Sequence, residues 1–188
     1  MRKIIIALVI AGLCGCATNQ LHFTDYTTGD QVALISKEPG PERIDAVTGV
    51  DACIKCTEGD KIVWHAANVS QGALYEGFAP IPVSDWPLFI RNALQSSGNT
   101  TSDVAYIEIQ RIFLKTWHDP EYYACEVRLS VTVNGETRTG RGVIKLAGAG
   151  QKLLSTTTVR LNPIATEAIR LGLIEAYSDA RNKLQSSN

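Results

Sequence analysis

The chain has 188 residues, with 18 Lys and Arg against 19 Asp and Glu and a formal net charge of −1. That balance excludes a polycationic nucleic-acid binder, which concentrates Lys and Arg on one face. The length suffices for one domain with a buried core.

Arg2 and Lys3 make a positive start, and Ile4 to Leu13 follow without a charge. This run is too short to cross a bilayer as a helix, which takes about 20 residues. Its layout is that of a secretory signal. Leu13-Cys14-Gly15-Cys16 resembles the bacterial lipobox: a leucine, a small residue before the cleavage point, and the invariant cysteine. The resemblance implies cleavage after Gly15 and lipidation of Cys16. In the pattern it resembles, an aspartate after the cysteine favours inner-membrane retention, so the resemblance, with Ala17 there, implies an outer-membrane lipoprotein facing the periplasm. Residues 1–15 are then a signal peptide, 16–30 a polar lipidated tether, and 31–188 a single periplasmic domain. Each buried CH₂ contributes roughly 0.8 kcal/mol, so an anchor of two or more acyl chains holds stably. No second long apolar run predicts a membrane span.

Val32 to Ile35 is a brief strand candidate, and Pro39-Gly40-Pro41 breaks the chain. Val50 to Thr57, a Gly59-Asp60 turn and Lys61 to Ala66 read as a small N-terminal hairpin. Residues 68–82, with Gly72, Gly77, Pro80 and Pro82, read as a loop. Ser84 or Asp85 can cap a helix with Pro87 in its first turn. Leu88, Phe89, Ile90, Ala93 and Leu94 would be its apolar face, and Gly98 a stop. Ala105, Ile107 and Ile109 then alternate, and the phase slips to Ile112 and Leu114, which predicts a β-bulge at Gln110-Arg111. His118-Asp119-Pro120-Glu121 makes a turn. Tyr123, Cys125, Val127, Leu129, Val131 and Val133 alternate with polar residues, the pattern of a strand with one wet face. Asn134-Gly135 is a two-residue hairpin turn. Glu136 to Ala147 returns as a strand, and the turn-rich stretch Gly148 to Gln151 leads to a further strand candidate at Leu153 to Leu161. Asn162-Pro163 opens the last helix as cap and first residue. Its expected stripe is Ile164, Ala168, Leu171, Ile174, Tyr177, Ala180 and Leu184.

The order predicts an α+β fold: an antiparallel meander of three to four strands with two helices packed on one face, plus the N-terminal hairpin. The lipobox, the helix before Gly98, the strand from Val104, the Asn-Gly hairpin and the closing helix together resemble YajG-like small bacterial outer-membrane lipoproteins. The likeness is one of layout over residues 84–184, and implies an outer-membrane lipoprotein without assigning an activity.

Beyond Cys16, an oxidising compartment favours a disulfide among Cys53, Cys56 and Cys125. Cys53 and Cys56 can pair within a turn, or one can reach Cys125; spacing does not choose. A redox Cys-x-x-Cys wants a helix after it to lower the thiol pKa, and Thr57-Glu58-Gly59-Asp60 is a turn. A zinc site wants four ligands, and one Cys-x-x-Cys with scattered His65 and His118 supplies no such spacing. Cys125, in phase with the core residues, reads as a buried small hydrophobe. Gly140-Arg141-Gly142 sits inside a strand, where a close backbone contact explains it better than phosphate binding. No cofactor, metal or catalytic set is expected, and no nucleic-acid partner. The expectation is a non-enzymatic accessory or binding module for another envelope component. Its partner-facing loop would carry Tyr75 and Phe78. The alternatives are a thiol–disulfide or other enzyme using Cys53 and Cys56, and a structural lipoprotein that self-associates.

Overall fold

The computed structural model describes residues 19–20, 22–23, 42–70, 72–94, 103–118, 121–147, 158–159 and 161–186. Cys16, the Val32–Ile35 strand candidate, the Pro39-Gly40-Pro41 break, Gly98, Asp119-Pro120 and the turn at 148–151 lie outside those residues. The strands are β1 (Asn19–Gln20), β2 (His22–Phe23), β3 (Arg43–Thr48), β4 (Ile62–Ser70), β5 (Ala73–Ala79), β6 (Val104–His118), β7 (Glu121–Val133), β8 (Glu136–Ala147) and β9 (Thr158–Val159). The helices are α1 (Trp86–Leu94) and α2 (Pro163–Gln185).

The alternating segment behaves as its pattern dictates. Tyr123, Cys125, Val127, Leu129, Val131 and Val133 are all buried on one face of β7. Asn134 and Gly135 take φ of 53° and 83°, the paired positive values of a tight hairpin turn. The register of β6 on β7 shifts between Ile109 and Arg111, so the bulge sits where the apolar phase slipped.

The sheet departs from the expected antiparallel meander. Among the described residues it has seven strands, in the order β1-β5-β4-β6-β7-β8, with β3 also on β6. Only β6-β7-β8 and β4-β5 are antiparallel; β1-β5, β3-β6 and β4-β6 are parallel. One edge of β6 serves two partners end to end: β3 along Val104–Glu108 and β4 along Ile112–Trp117. Between them the chain leaves at Gly49, with φ 75°, where an added Cβ would lie 2.3 Å from the Ile109 carbonyl oxygen. It returns with the Ile112 amide donating to the Lys61 carbonyl at 2.7 Å.

The predicted N-terminal hairpin is therefore not formed. Residues 49–61 contain no strand, and β4 takes β5 as its hairpin partner instead. The stretch read as a loop at 68–82 is mostly strand, turned by Gly72 at φ 77°. Its glycine and prolines punctuate the ends of β5 rather than abolish it.

Both helices contribute buried residues to the apolar cluster that covers the inner face of the sheet. Asp85 caps α1 by accepting the Leu88 amide at 2.8 Å. Leu88 itself is 46% exposed rather than buried. Asn162 caps α2, accepting the Ala165 amide at 2.9 Å, with Pro163 first in the helix. The buried face of α2 runs through Ala165, Ala168, Ile169, Gly172, Leu173, Ala176, Tyr177, Ala180 and Leu184. It is rotated from the expected stripe, leaving Ile164, Leu171 and Ile174 half-buried. Small residues explain the rotation. A Cβ on Gly140 would meet the Ala176 carbonyl at 1.9 Å, and one on Gly142 the Gly172 carbonyl at 2.3 Å. Helix and strand backbones thus touch at the Gly140-Arg141-Gly142 run, which is a close contact and not a phosphate loop.

That contact also closes a sheet edge. The outward amides of Arg141 and Val143 donate to the carboxylates of Asp179 (2.9 Å) and Glu175 (2.8 Å). Lys183 Nζ donates to the Thr139 carbonyl at 3.0 Å. Exposed edge strands invite pairing with other chains, and side chains of α2 occupy these groups of β8.

Candidate functional site

Because both helices share the inner face, the chemistry of the surface lies on the outer face of the sheet. Residues two apart along each strand point there together. Over β4 this face is closed, since Val63 and Ala67 are fully buried. Over β6, β7 and β8 it opens and carries aromatic and cationic side chains in register.

Where β4 meets β6, the face is built around His65. Its ring stacks on Phe78 at 4.6 Å between centroids and lies 6.4 Å from Phe113. Its Nε2 is 3.4 Å from a Glu76 carboxylate oxygen. Burial holds the His65 pKa below its ordinary value, outweighing the hydrogen bond to the Glu76 carboxylate. Burial thus favours the neutral imidazole. A neutral histidine beside a carboxylate has the form of an oriented base, but its flanks here are two phenyl rings rather than a nucleophile.

Next to it the bulge redirects Arg111. Its guanidinium lies 4.8 Å from the Phe113 ring centroid and donates to the carbonyls of Glu58 (3.0 Å) and Asp60 (3.3 Å). This fastens the irregular segment 49–61 to the face. Cys53 and Cys56 form a disulfide within that segment. The bridge stiffens a loop whose tip, Ile54, is 97% exposed. No helix follows Cys56, so the dipole that activates a redox thiol is missing. Cys125 is buried on the opposite face, and burial pushes its thiol pKa well up. The sheet thus places Cys125 and His65 on opposite faces. Among the described residues no group of three His, Cys, Asp or Glu side chains could hold a metal ion. His118 lies at the end of β6, and the adjacent Asp119 is outside the described residues.

Towards the Asn134-Gly135 turn the face becomes arginine-rich. Arg111, Arg128 and Arg141 form one row across β6, β7 and β8. Glu126 accepts from Arg128 (2.8 Å) and Arg141 (3.0 Å). Burial would raise the Glu126 pKa, but these two guanidinium bonds outweigh it and hold the carboxyl below its ordinary value. Tyr106 and Val143 are 49% and 51% exposed on the same face.

The residues expected to face a partner are placed differently. Tyr75 and Phe78 lie on β5, three apart and so on opposite faces. Tyr75 packs against the core, and Phe78 is occupied by His65. The arginine row went unread in the sequence because each Arg comes from a different strand. Only the pairing register brings them side by side.

Elsewhere, buried Glu42 accepts from Tyr177 and pairs with Arg181, tying the start of β3 to α2. Arg181 also borders a cavity of 350 Å³ whose rim carries Asp103, Asn134 and Glu136. With its guanidinium held by Glu42 and two carboxylates at the rim, that cavity offers an anion little.

No protein-family profile and no curated protein matches the chain. Among solved structures it is similar to one described as "Crystal structure of uncharacterized protein", at 10% identity and a TM-score of 0.34, covering 92% of this chain and 100% of that one.

Proposed function

We propose that this protein is a non-enzymatic, lipid-anchored envelope lipoprotein. In this reading it is an accessory module that binds another envelope protein through the open outer face of its sheet. The carrying observation is the exposed set Tyr106, Arg128, Arg141 and Val143, on the face that neither helix covers. Interface cores are enriched in aromatic residues and arginine, and such residues dominate binding energy. The lipobox at Leu13–Cys16 and the layout resemblance to YajG-like lipoproteins support the location. In this reading the partner-facing role is assigned to this set rather than to Tyr75 and Phe78, which lie on β5.

A photo-crosslinking residue at position 106 tests the reading in intact envelopes, with position 88 on α1 as the control. The expected result is a discrete adduct from position 106 that Arg128→Ala/Arg141→Ala abolishes, and none from position 88. Equal or absent crosslinking at both positions would overturn it.

A further inference from the structure

The tether is stitched into the sheet, and that fixes which end of the domain meets the membrane. Asn19 and Gln20 pair with Tyr75 and Glu76. Following the register outward, Gln20, Glu76, Ala67, Trp117, Tyr122 and Ala147 form one continuous row across β1, β5, β4, β6, β7 and β8. Because β1 runs parallel to β5, the chain before Asn19 leaves on the side of the Gly72 turn. That is also the end of the sheet where β6 finishes, β7 begins and β8 finishes. Cys16 is three residues before Asn19, and an extended chain covers at most about 3.6 Å per residue. A lipid on Cys16 therefore holds this end of the sheet within roughly 11 Å of its attachment point.

The side chains at this end suit a headgroup layer. Trp117 and Tyr122 are half-buried and stack at 6.5 Å with their planes 10° apart. Lys145 Nζ lies 4.5 Å from the Tyr122 ring centroid, and Lys115 stands one row further in, beside Ala124. Val69, near the Gly72 turn, is 41% exposed. Two carboxylates lie nearby: Glu121 accepts from Tyr123, and a Glu76 oxygen is 3.4 Å from His65 Nε2. Trp and Tyr sit at membrane–water interfaces with apolar rings and polar tips, and lysines beside them favour anionic lipid.

We infer that the sheet end bearing Trp117, Tyr122, Lys115 and Lys145 docks onto the headgroups of the bilayer that holds the anchor, turning the Tyr106–Arg128–Arg141 end away from the membrane. This rests on the lipid-anchor reading above. It extends that reading from an anchor to a defined orientation.

The test uses the full chain, expressed in a bacterium that processes lipoproteins. The purified protein is reconstituted into phosphatidylethanolamine–phosphatidylglycerol vesicles carrying brominated acyl chains. Trp64 and Trp86 are buried in the core, so Trp117 is the accessible one of the 3 tryptophans. Docking quenches the part of the emission that comes from Trp117. Trp117→Phe should abolish the quenching, and Lys115→Glu/Lys145→Glu should reduce it at least severalfold while leaving the fold intact. A protein that carries the lipid by mass spectrometry but is not quenched overturns the docking and leaves the anchor standing. A protein without the lipid overturns the anchor. Soluble protein added to the same vesicles then decides the docking face: quenching that Trp117→Phe removes supports it, and none overturns it.

Discussion

Gly140→Ala is the substitution that most sharply tests the packing of α2 on β8. The new Cβ would lie 1.9 Å from the Ala176 carbonyl oxygen and 2.7 Å from the Ala180 amide nitrogen, where ordinary contact begins at 3.4 Å. Both obstacles are helix backbone, so no side-chain rotation relieves them. The helix must retreat by more than about 1 Å, an overpacking cost of about 1–3 kcal/mol. The same retreat stretches the bonds from the Arg141 and Val143 amides to Asp179 and Glu175, now 2.9 and 2.8 Å. These carboxylates are partly exposed, so together the bonds add about 1–2 kcal/mol rather than the full value for charged partners. Alanine's advantage over glycine in a strand returns about 0.5–1 kcal/mol. The net loss is about 3 kcal/mol, a fall of about 6–12 °C in Tm for a chain of this size. Urea and thermal unfolding followed by circular dichroism measure it. Gly59→Ala, whose new Cβ meets nothing nearer than Thr57 Oγ1 at 3.8 Å, is the control and should stay within about 0.5 kcal/mol of the parent. Equal stability of the two variants would refute the claim that glycine is there for backbone contact.

Three further outcomes are expected. Cys125 should resist iodoacetamide in the native protein at pH 8 and react only after denaturation, since burial disfavours its thiolate; rapid native labelling would contradict its place in the core. Tyr177→Phe removes the hydroxyl donor from buried Glu42, and should destabilise by about 1.5–3 kcal/mol in urea unfolding, the range for a hydrogen bond to a charged group. The folded protein holds the His65 pKa below its ordinary value, so the unfolded chain takes up a proton first as pH falls. Stability should therefore decline as pH drops through 6.5 and level off below the folded pKa, and His65→Gln should flatten that segment of the stability–pH curve.

Local signals carried much of this fold. The period-two run of β7, the phase slip at Gln110-Arg111, the Asn-Gly turn and the Asn162-Pro163 helix start each depend on residues close in sequence, and each is found where the pattern places it. The parallel pairings were not legible. Arg43–Thr48 and Val104–Glu108 join across more than fifty positions, and alternation is the same whichever way a neighbour runs. β5 was hidden because Gly72 and Gly77 look like loop chemistry, although Gly72 is the turn of the β4–β5 hairpin. The outer-face arginines were visible only as polar residues in an alternating strand. Their meaning comes from register, which aligns Arg111, Arg128 and Arg141.

In the proposed function, the Tyr106–Arg128–Arg141–Val143 surface is covered by an envelope protein. Cysteine substitutions at positions 106, 143 and 88 test it most directly, because the native Cys53–Cys56 pair is bonded and Cys125 is buried. Maleimide labelling is compared between intact envelopes and purified protein. Positions 106 and 143 should be protected in envelopes and react freely once purified, while position 88 should react equally in both. Equal labelling of all three positions in the two states would contradict it.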